Sequence, residues 1–218
     1  MNITSRPLDY WHAIIFDFDG VIVESGDIKT QAFADLYRHH GEAVTTAVVD
    51  YHRANGGMSR YLKFHYYQEN LLNGPPLTQA EEQALAQQFS ELVMQAVIAS
   101  QSVAGVEALL DKMVNQIPLF VASGTPENEL HTIVERRNLT RYFTSVHGSP
   151  RLKEELVADI LSTHALDPQR VLMIGDAMAD YESAHQNNVV FLGRVRPGDD
   201  NPFPESVEIV ADLCPLTT

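Results

Sequence analysis

Ala13-Ile14-Ile15-Phe16-Asp17-Phe18-Asp19-Gly20-Val21 is the stretch that decides the architecture of this chain. Four consecutive apolar residues, Ala13 to Phe16, fit a strand covered on both faces, as in a parallel sheet. The run stops at two carboxylates two positions apart, followed by a glycine. Side chains alternate along a strand, so Asp17 and Asp19 leave the backbone on the same side while Phe18 turns away. Gly20 permits a tight exit. Open parallel sheets bind ligands at the carboxyl ends of their strands. Two adjacent carboxylates repel each other unless a proton or a cation sits between them. Alone, an Asp-x-Asp after a strand reads as a solvated turn; the rest of the chain argues otherwise.

Between Asp27 and Ser100 the chain carries no strand pattern. Helices are predicted over 27–40, 42–54, 58–73 and 78–100, punctuated by Gly41, Asn55-Gly56-Gly57 and Gly74-Pro75-Pro76. Thr78 and Glu81 form a capping-box pattern. Leu85, Phe89, Leu92, Val93, Ala96 and Val97 are predicted to share one face and to pack in the core. After this block strand and helix alternate. A helix over 103–115 leads to a strand over 118–123 that ends in Ser123. Thr125 reads as an N-cap with Pro126 at the first helical position, opening a helix to about residue 138. A strand over 143–147 precedes a helix over 151–165, which Ser149-Pro150 opens. The next strand, 170–174, ends in Gly175-Asp176; a helix over 179–187 and strands over 189–192 and 206–210 complete the pattern. The fold class is therefore α/β: a three-layer, Rossmann-like parallel-sheet core with an inserted all-helical cap domain. Residues 1–24 and 101–218 are assigned to the core and 25–100 to the cap.

Composition narrows the partners. With 15 basic and 29 acidic side chains the net charge is −14, which argues against nucleic acid or an anionic membrane surface. An anionic substrate then needs a locally positive site. The one cysteine, Cys214, makes neither a disulfide nor a zinc-cysteine case. No signal-peptide core and no apolar run near 18 residues is present, so a cytoplasmic location is expected.

The candidate residues each follow an apolar strand: Asp17 and Asp19 the first, Ser123 the second, Asp176 the strand from Arg170. Parallel crossovers gather these ends on one edge of the sheet. Lys153 joins them; a cation in a helix's first turn is disfavoured by the dipole, so helix stability does not account for it. Asp180 follows Asp176 by four residues. Acids crowded together without clustered Cys or His suit a hard divalent cation, Mg2+ rather than zinc.

Four segments in order, Phe16-Asp17-Phe18-Asp19-Gly20-Val21, Val121-Ala122-Ser123-Gly124-Thr125, Gly148-Ser149-Pro150 with Lys153, and Ile174-Gly175-Asp176 with Asp180, resemble the signatures of the haloacid dehalogenase-like superfamily. The likeness spans nearly the whole chain, and the 27–100 insertion is similar to the helical cap that one branch places after the first strand. Glu24 and Ala177 stand where relatives often have Asp and Ser. The resemblance implies a Mg2+-dependent phosphatase acting on a small phosphorylated metabolite, a sugar phosphate or similar compound. Asp17 would be the nucleophile forming an aspartyl-phosphate. Asp19 would be the acid–base group, which calls for a raised proton affinity. Mg2+ would be held by Asp17, Asp176 and the backbone carbonyl of Asp19. Ser123, Gly124 and Lys153 would hold the phosphoryl oxygens, and Asp180 would orient Lys153 or a metal-bound water. Because relatives that cleave carbon–halogen or carbon–phosphorus bonds lack the second Asp, Asp19 points to phosphate esters.

For substrate choice, Gly56-Gly57-Met58-Ser59-Arg60 is similar to a cap segment of sugar-phosphate mutases and phosphatases, so Arg60 and Lys63 are the cap candidates. His147 near the site edge is assigned a structural role, and Tyr61, His65, Tyr66 and Tyr67 are assigned to packing within the cap. The neighbouring alternative is a phosphomutase of the beta-phosphoglucomutase kind, with the same nucleophile. A phospho-accepting domain of the response-regulator type is disfavoured by the cap. The oligomer is expected to be a monomer or homodimer.

Overall fold

The computed structural model describes residues 3–217. Among them, six strands form one sheet: β1 (Ala13–Phe16), β2 (Leu119–Pro126), β3 (Ser145–Ser149), β4 (Val171–Gly175), β5 (Val190–Arg194) and β6 (Ile209–Val210). Their spatial order is β3-β2-β1-β4-β5-β6 and every pairing is parallel. From β1 the chain fills one side of the sheet through β2 and β3, then crosses back to lay β4 against β1. The order therefore reverses between β1 and β4, where doubly wound sheets open a crevice at their carboxyl ends. Phe16 pairs with Ile174, and the Asp17 amide donates to the Ile174 carbonyl at 2.9 Å. The backbone thus delivers Asp17 and Asp176 to the two lips of that crevice.

Alternation along the strands splits the core. Ile14, Phe16, Leu119, Val121, Leu172 and Ile174 face one side, against α5 (Val106–Met113) and α6 (Glu127–Arg136). Ala13, Ile15, Phe120, Ala122, Val171 and Met173 face the other, against α7 (Lys153–Thr163) and α8 (Met178–Gln186). Full burial of β1 on both faces is the pattern its apolar run implies.

Between β1 and α5 lie four cap helices: α1 (Gly26–Tyr37), α2 (Glu42–Ala54), α3 (Arg60–Tyr66) and α4 (Gln79–Ala99). They pack around Phe33, Phe64, Tyr67 and Phe89, with Phe33 and Phe89 ring centroids 4.4 Å apart. The two strands of chain joining cap and core pair with each other, Glu24 N to Gln101 O at 2.9 Å and Val103 N to Ile22 O at 3.0 Å. Arg137, just past α6, donates to the carbonyls of Val97, Ile98 and Ser100 at 3.1, 2.7 and 2.8 Å, satisfying the free end of α4.

Several local expectations need correction. The 58–73 helix starts later, with Ser59 as N-cap, and widens after Tyr66 into a π turn over Tyr67–Leu71. Leu92 is exposed; the buried α4 stripe is Ala86, Phe89, Val93 and Val97. Thr125 does not cap α6: it continues β2, and its hydroxyl is spent on Asp19. β3 runs to Ser149, so α7 begins only at Lys153, and the last strand shortens to two residues. His147 lies on β3, its Nε2 2.7 Å from the Ser145 hydroxyl. Tyr67 is buried with its hydroxyl donating to the Val48 carbonyl, and Tyr66 stacks on Tyr51. No helix among the described residues is long and apolar enough to cross a membrane.

Candidate active site

Four strand and helix ends meet under the cap. Asp17, one residue beyond β1, is buried. Lys153, the first residue of α7, reaches 3.0 Å from Asp17 Oδ1 and also pairs with Asp180 Oδ1. That ion-pair network accounts for a lysine where the helix dipole disfavours one. Burial works against the ammonium charge, but Asp17 and Asp180 outweigh it and hold Lys153 protonated beyond its ordinary range. Asp180 Oδ2 accepts from the amides of Asp176 and Ala177 at 3.2 and 3.0 Å. The Asp180 side chain is thereby a cap for α8 and an anchor for Lys153 at once.

Burial pushes the Asp17 carboxyl up to about 7; Lys153 opposes this, while Asp180 and Asp19 add to it. Burial, then Asp17 and Asp180, likewise raise Asp176 well above the carboxylate range. Oxygens of Asp17, Asp176 and Asp180 come within 4.8 Å of one another. Those of Asp180 are already taken by Lys153 and two amides, so Asp17 and Asp176 are the side chains left to hold a cation. Asp17 Oδ1 has no aligned hydrogen-bond donor despite the nearby lysine. Two buried, raised carboxyls side by side, with only one lysine's charge between them, fit a hard divalent ion.

Asp19 departs from expectation. Its side chain turns toward the cap: Oδ1 accepts from Ser25 Oγ at 2.6 Å, and Oδ2 from Thr125 Oγ1 at 2.8 Å and from Lys29 Nζ. Burial would raise this carboxyl, but the Lys29 charge and these three hydrogen bonds hold it below its ordinary value. The raised proton affinity anticipated from crowding is therefore corrected; the cap supplies a counter-charge. Lys29 and Thr125 are also joined at 2.7 Å. Lys29 was not singled out from sequence, and Thr125 only as a helix N-cap. Their available signal was weak: Ser25 and Lys29 sit one helical turn apart immediately after the Asp-x-Asp exit.

Gly20, at φ +79, takes a turn few other residues adopt, and a Cβ there would fall 1.9 Å from Asp176 Oδ2. Gly124 meets the cap: a Cβ would stand 2.4 Å from the Gly57 carbonyl. Core and cap enclose a cavity of about 110 Å3. Its core wall includes Asp17, Asp19, Ser123, Gly124, Thr125 and Asp176; its cap wall includes Lys29, His52, Arg60 and Lys63. Ser123 is buried beside Asp17 in this wall, its Oγ accepting from the Thr125 amide at 3.2 Å.

The two cap candidates differ. Arg60 donates to both oxygens of Glu129 at 2.9 and 2.7 Å and to Ser90 at 2.9 Å, so its charge is neutralised by a core helix. Glu129 is a second residue that local reading passed over. Lys63 is buried against the Phe33 ring, its Nζ 2.9 Å from His52 Nδ1, and it pairs with no carboxylate among the described residues.

A parallel sheet whose switch-point crevice holds acids and a lysine under a helical lid defines a capped α/β hydrolase architecture. The chain belongs to the haloacid dehalogenase-like hydrolase family, whose model matches residues 14–193. Similar solved structures include a beta-phosphoglucomutase from Clostridium difficile, at TM-score 0.76 and 18% identity, covering 94% of this chain and 92% of that one. A predicted phosphoglycolate phosphatase from Haemophilus somnus superposes at TM-score 0.71 and 17% identity, covering 94% and 96% of the two chains. A mutant of CbbY from Rhodobacter sphaeroides, in complex with xylulose-1,5-bisphosphate, superposes at 0.70 with 15% identity, covering 94% and 95%. At these identities the likeness is one of fold. No curated protein matches the chain.

Proposed function

We propose that this protein is a Mg2+-dependent phosphatase that hydrolyses a small phosphorylated metabolite through an aspartyl-phosphate on Asp17. The observation that carries the reading is the buried Asp17 carboxylate, 3.0 Å from Lys153 and walled in with Asp176 and Ser123. A carboxylate so placed can attack phosphorus while the fixed ammonium of Lys153 and the Ser123 hydroxyl receive the phosphoryl oxygens. Bound Mg2+, held by Asp17 and Asp176, would neutralise charge that develops on those oxygens.

In the first half-reaction an Asp17 oxygen bonds to phosphorus and the ester P–O bond breaks. The departing oxygen takes a proton from Asp19. In the second, water gives its proton to the Asp19 carboxylate and bonds to phosphorus, freeing Asp17 and orthophosphate. Lys29, Ser25 and Thr125 hold Asp19 as the carboxylate, which is the form the second half needs. The first half requires that this carboxyl carry a proton, so the Lys29 contact must loosen while substrate is present. The cavity of about 110 Å3 suits a leaving group of few atoms, since pockets for drug-sized ligands run to roughly 300–1,000 Å3.

Orthophosphate release from p-nitrophenyl phosphate, with Mg2+ and with EDTA, tests the proposal. Asp17→Asn should lower turnover on the order of 10^4-fold or more, as loss of a covalent nucleophile does elsewhere. Turnover that survives in this variant, or that ignores EDTA, would refute it. A bisphosphorylated hexose converted to an isomerised monophosphate without free phosphate would favour the mutase reading instead.

A further inference from the structure

We propose that Arg194 is a positioning residue for the metal end of the site: it fixes the Gly20 turn against which the Asp176 carboxylate rests, and so sets how well Asp17 and Asp176 together hold Mg2+. The inference rests on the reading that those two acids take the cation, and extends it to a residue outside all four sequence signatures.

Arg194 ends β5 and is 4% exposed. Gly193 lies opposite Gly175 in the parallel β4–β5 register, so Arg194 and Asp176 follow side by side where the two strands finish. A charge buried this deeply must be answered inside the protein. The guanidinium is answered from three segments of chain. Nε donates to the Ala211 carbonyl at 3.0 Å, and Nη1 to the Gly20 carbonyl at 3.1 Å. Nη1 and Nη2 also grip the Glu24 carboxylate, at 3.1 and 2.6 Å. The Glu24 fork alone would balance the charge. The bonds to Gly20 and Ala211 add nothing to that balance; they pin the turn to the edge of the sheet.

What rests on the turn gives the pin its consequence. The amides of Val21, Ile22 and Val23 converge on the Phe18 carbonyl, and the Gly20 amide donates to the Val23 carbonyl at 2.7 Å. Residues 18–23 thus form one closed loop, with the Gly20 carbonyl left for Arg194. A Cβ on Gly20 would fall 1.9 Å from Asp176 Oδ2, so the carboxylate lies against bare backbone. Among the described residues no hydrogen bond orients the Asp176 side chain, and this contact is what places it. Mg2+ demands near-ideal octahedral geometry at about 2.0–2.1 Å, and a ligand left to drift by more than about 0.5 Å serves it poorly. Charge and geometry predict opposite signs here. Removing a cation beside two acids should, by Coulomb attraction alone, tighten a divalent ion. Losing the brace should loosen it.

Calorimetry of Mg2+ binding to the resting protein, without substrate, reads that sign in the wild type, Arg194→Gln and Arg194→Lys. Lysine keeps the charge but not the planar fork that reaches three partners at once. Both variants should bind Mg2+ at least tenfold more weakly, and kcat for p-nitrophenyl phosphate should recover once Mg2+ saturates. Should Arg194→Gln not fold, Arg194→Lys carries the test. Arg170→Gln is the control for a purely structural arginine: it loses a bond to the Tyr10 carbonyl at the opposite edge of the sheet. Its melting temperature in EDTA should fall while its Mg2+ affinity stays at the wild-type value. Folded Arg194 variants that bind Mg2+ as tightly as the wild type, or more tightly, or that lose no more affinity than Arg170→Gln, overturn the inference alone. A wild type that binds no Mg2+ sinks the metal reading and the inference together.

Discussion

Replacing Glu129 by Gln tests whether the lid is locked by charge. The Arg60–Glu129 pair joins α3 of the cap to α6 of the core, and its side chains are only 4% and 7% exposed. Breaking a buried pair by removing one partner costs about 3–5 kcal/mol, because the remaining charge is stranded. If the cap stays shut, the whole cost falls on the folded state. For a chain of this size roughly 2–4 °C of melting temperature goes with each kcal/mol, so a fall of about 6–20 °C follows. The protein has an escape, since opening the cap returns Arg60 to water. The penalty would then be limited to the free energy of closure, and KM would rise while melting changed little. Scanning calorimetry with steady-state kinetics separates the two, and hydrogen exchange across α3 and α4 reports the opening directly. Removing both charges, as Arg60→Met with Glu129→Leu, should recover most of the lost stability, since replacing a buried pair by apolar groups is often neutral. If Glu129→Gln matches the wild type in melting, KM and exchange, the pair does not hold the cap and the reasoning fails.

Asp17 has a folded-state pKa of about 7, above its unfolded value, so between about pH 4 and 7 the folded state binds the extra proton and metal-free stability falls as pH rises. Mg2+ competes with that proton: it should raise the melting temperature more at pH 8 than at pH 5, and equal shifts would contradict the shared-carboxylate site. Gly124→Ala would bring a methyl to 2.4 Å from the Gly57 carbonyl. This should hinder cap closure and cut kcat/KM tenfold or more with little change in the core's melting; unchanged kinetics would show that the two loops do not need to meet.

What could be read in advance depended on how local its cause was. β1, β2 and β4 were legible because burial on both faces leaves an unbroken apolar run, and the acids after β1 and β4 were legible because a parallel sheet must gather its strand ends. Thr125 was misread for a sound local reason: Thr-Pro before a helical pattern is what an N-cap looks like. Its hydroxyl instead serves an aspartate 106 positions earlier, a partner no window contains. Arg60 shows the same limit, since the glutamate that neutralises it lies 69 residues on. Asp19 was placed at the strand end correctly, but its protonation was argued from the acids alone, and Lys29 on the first cap helix reverses the sign. Sequence reading can count charges and place those on one strand or helix. It cannot pair charges across the two halves of the fold, and pairing decides which cation is spent on structure. Arg60 and Lys63 were both cap candidates, Arg60 the first of the two by resemblance; geometry divides them, because the Arg60 guanidinium is already answered by Glu129 and the Lys63 ammonium meets only His52.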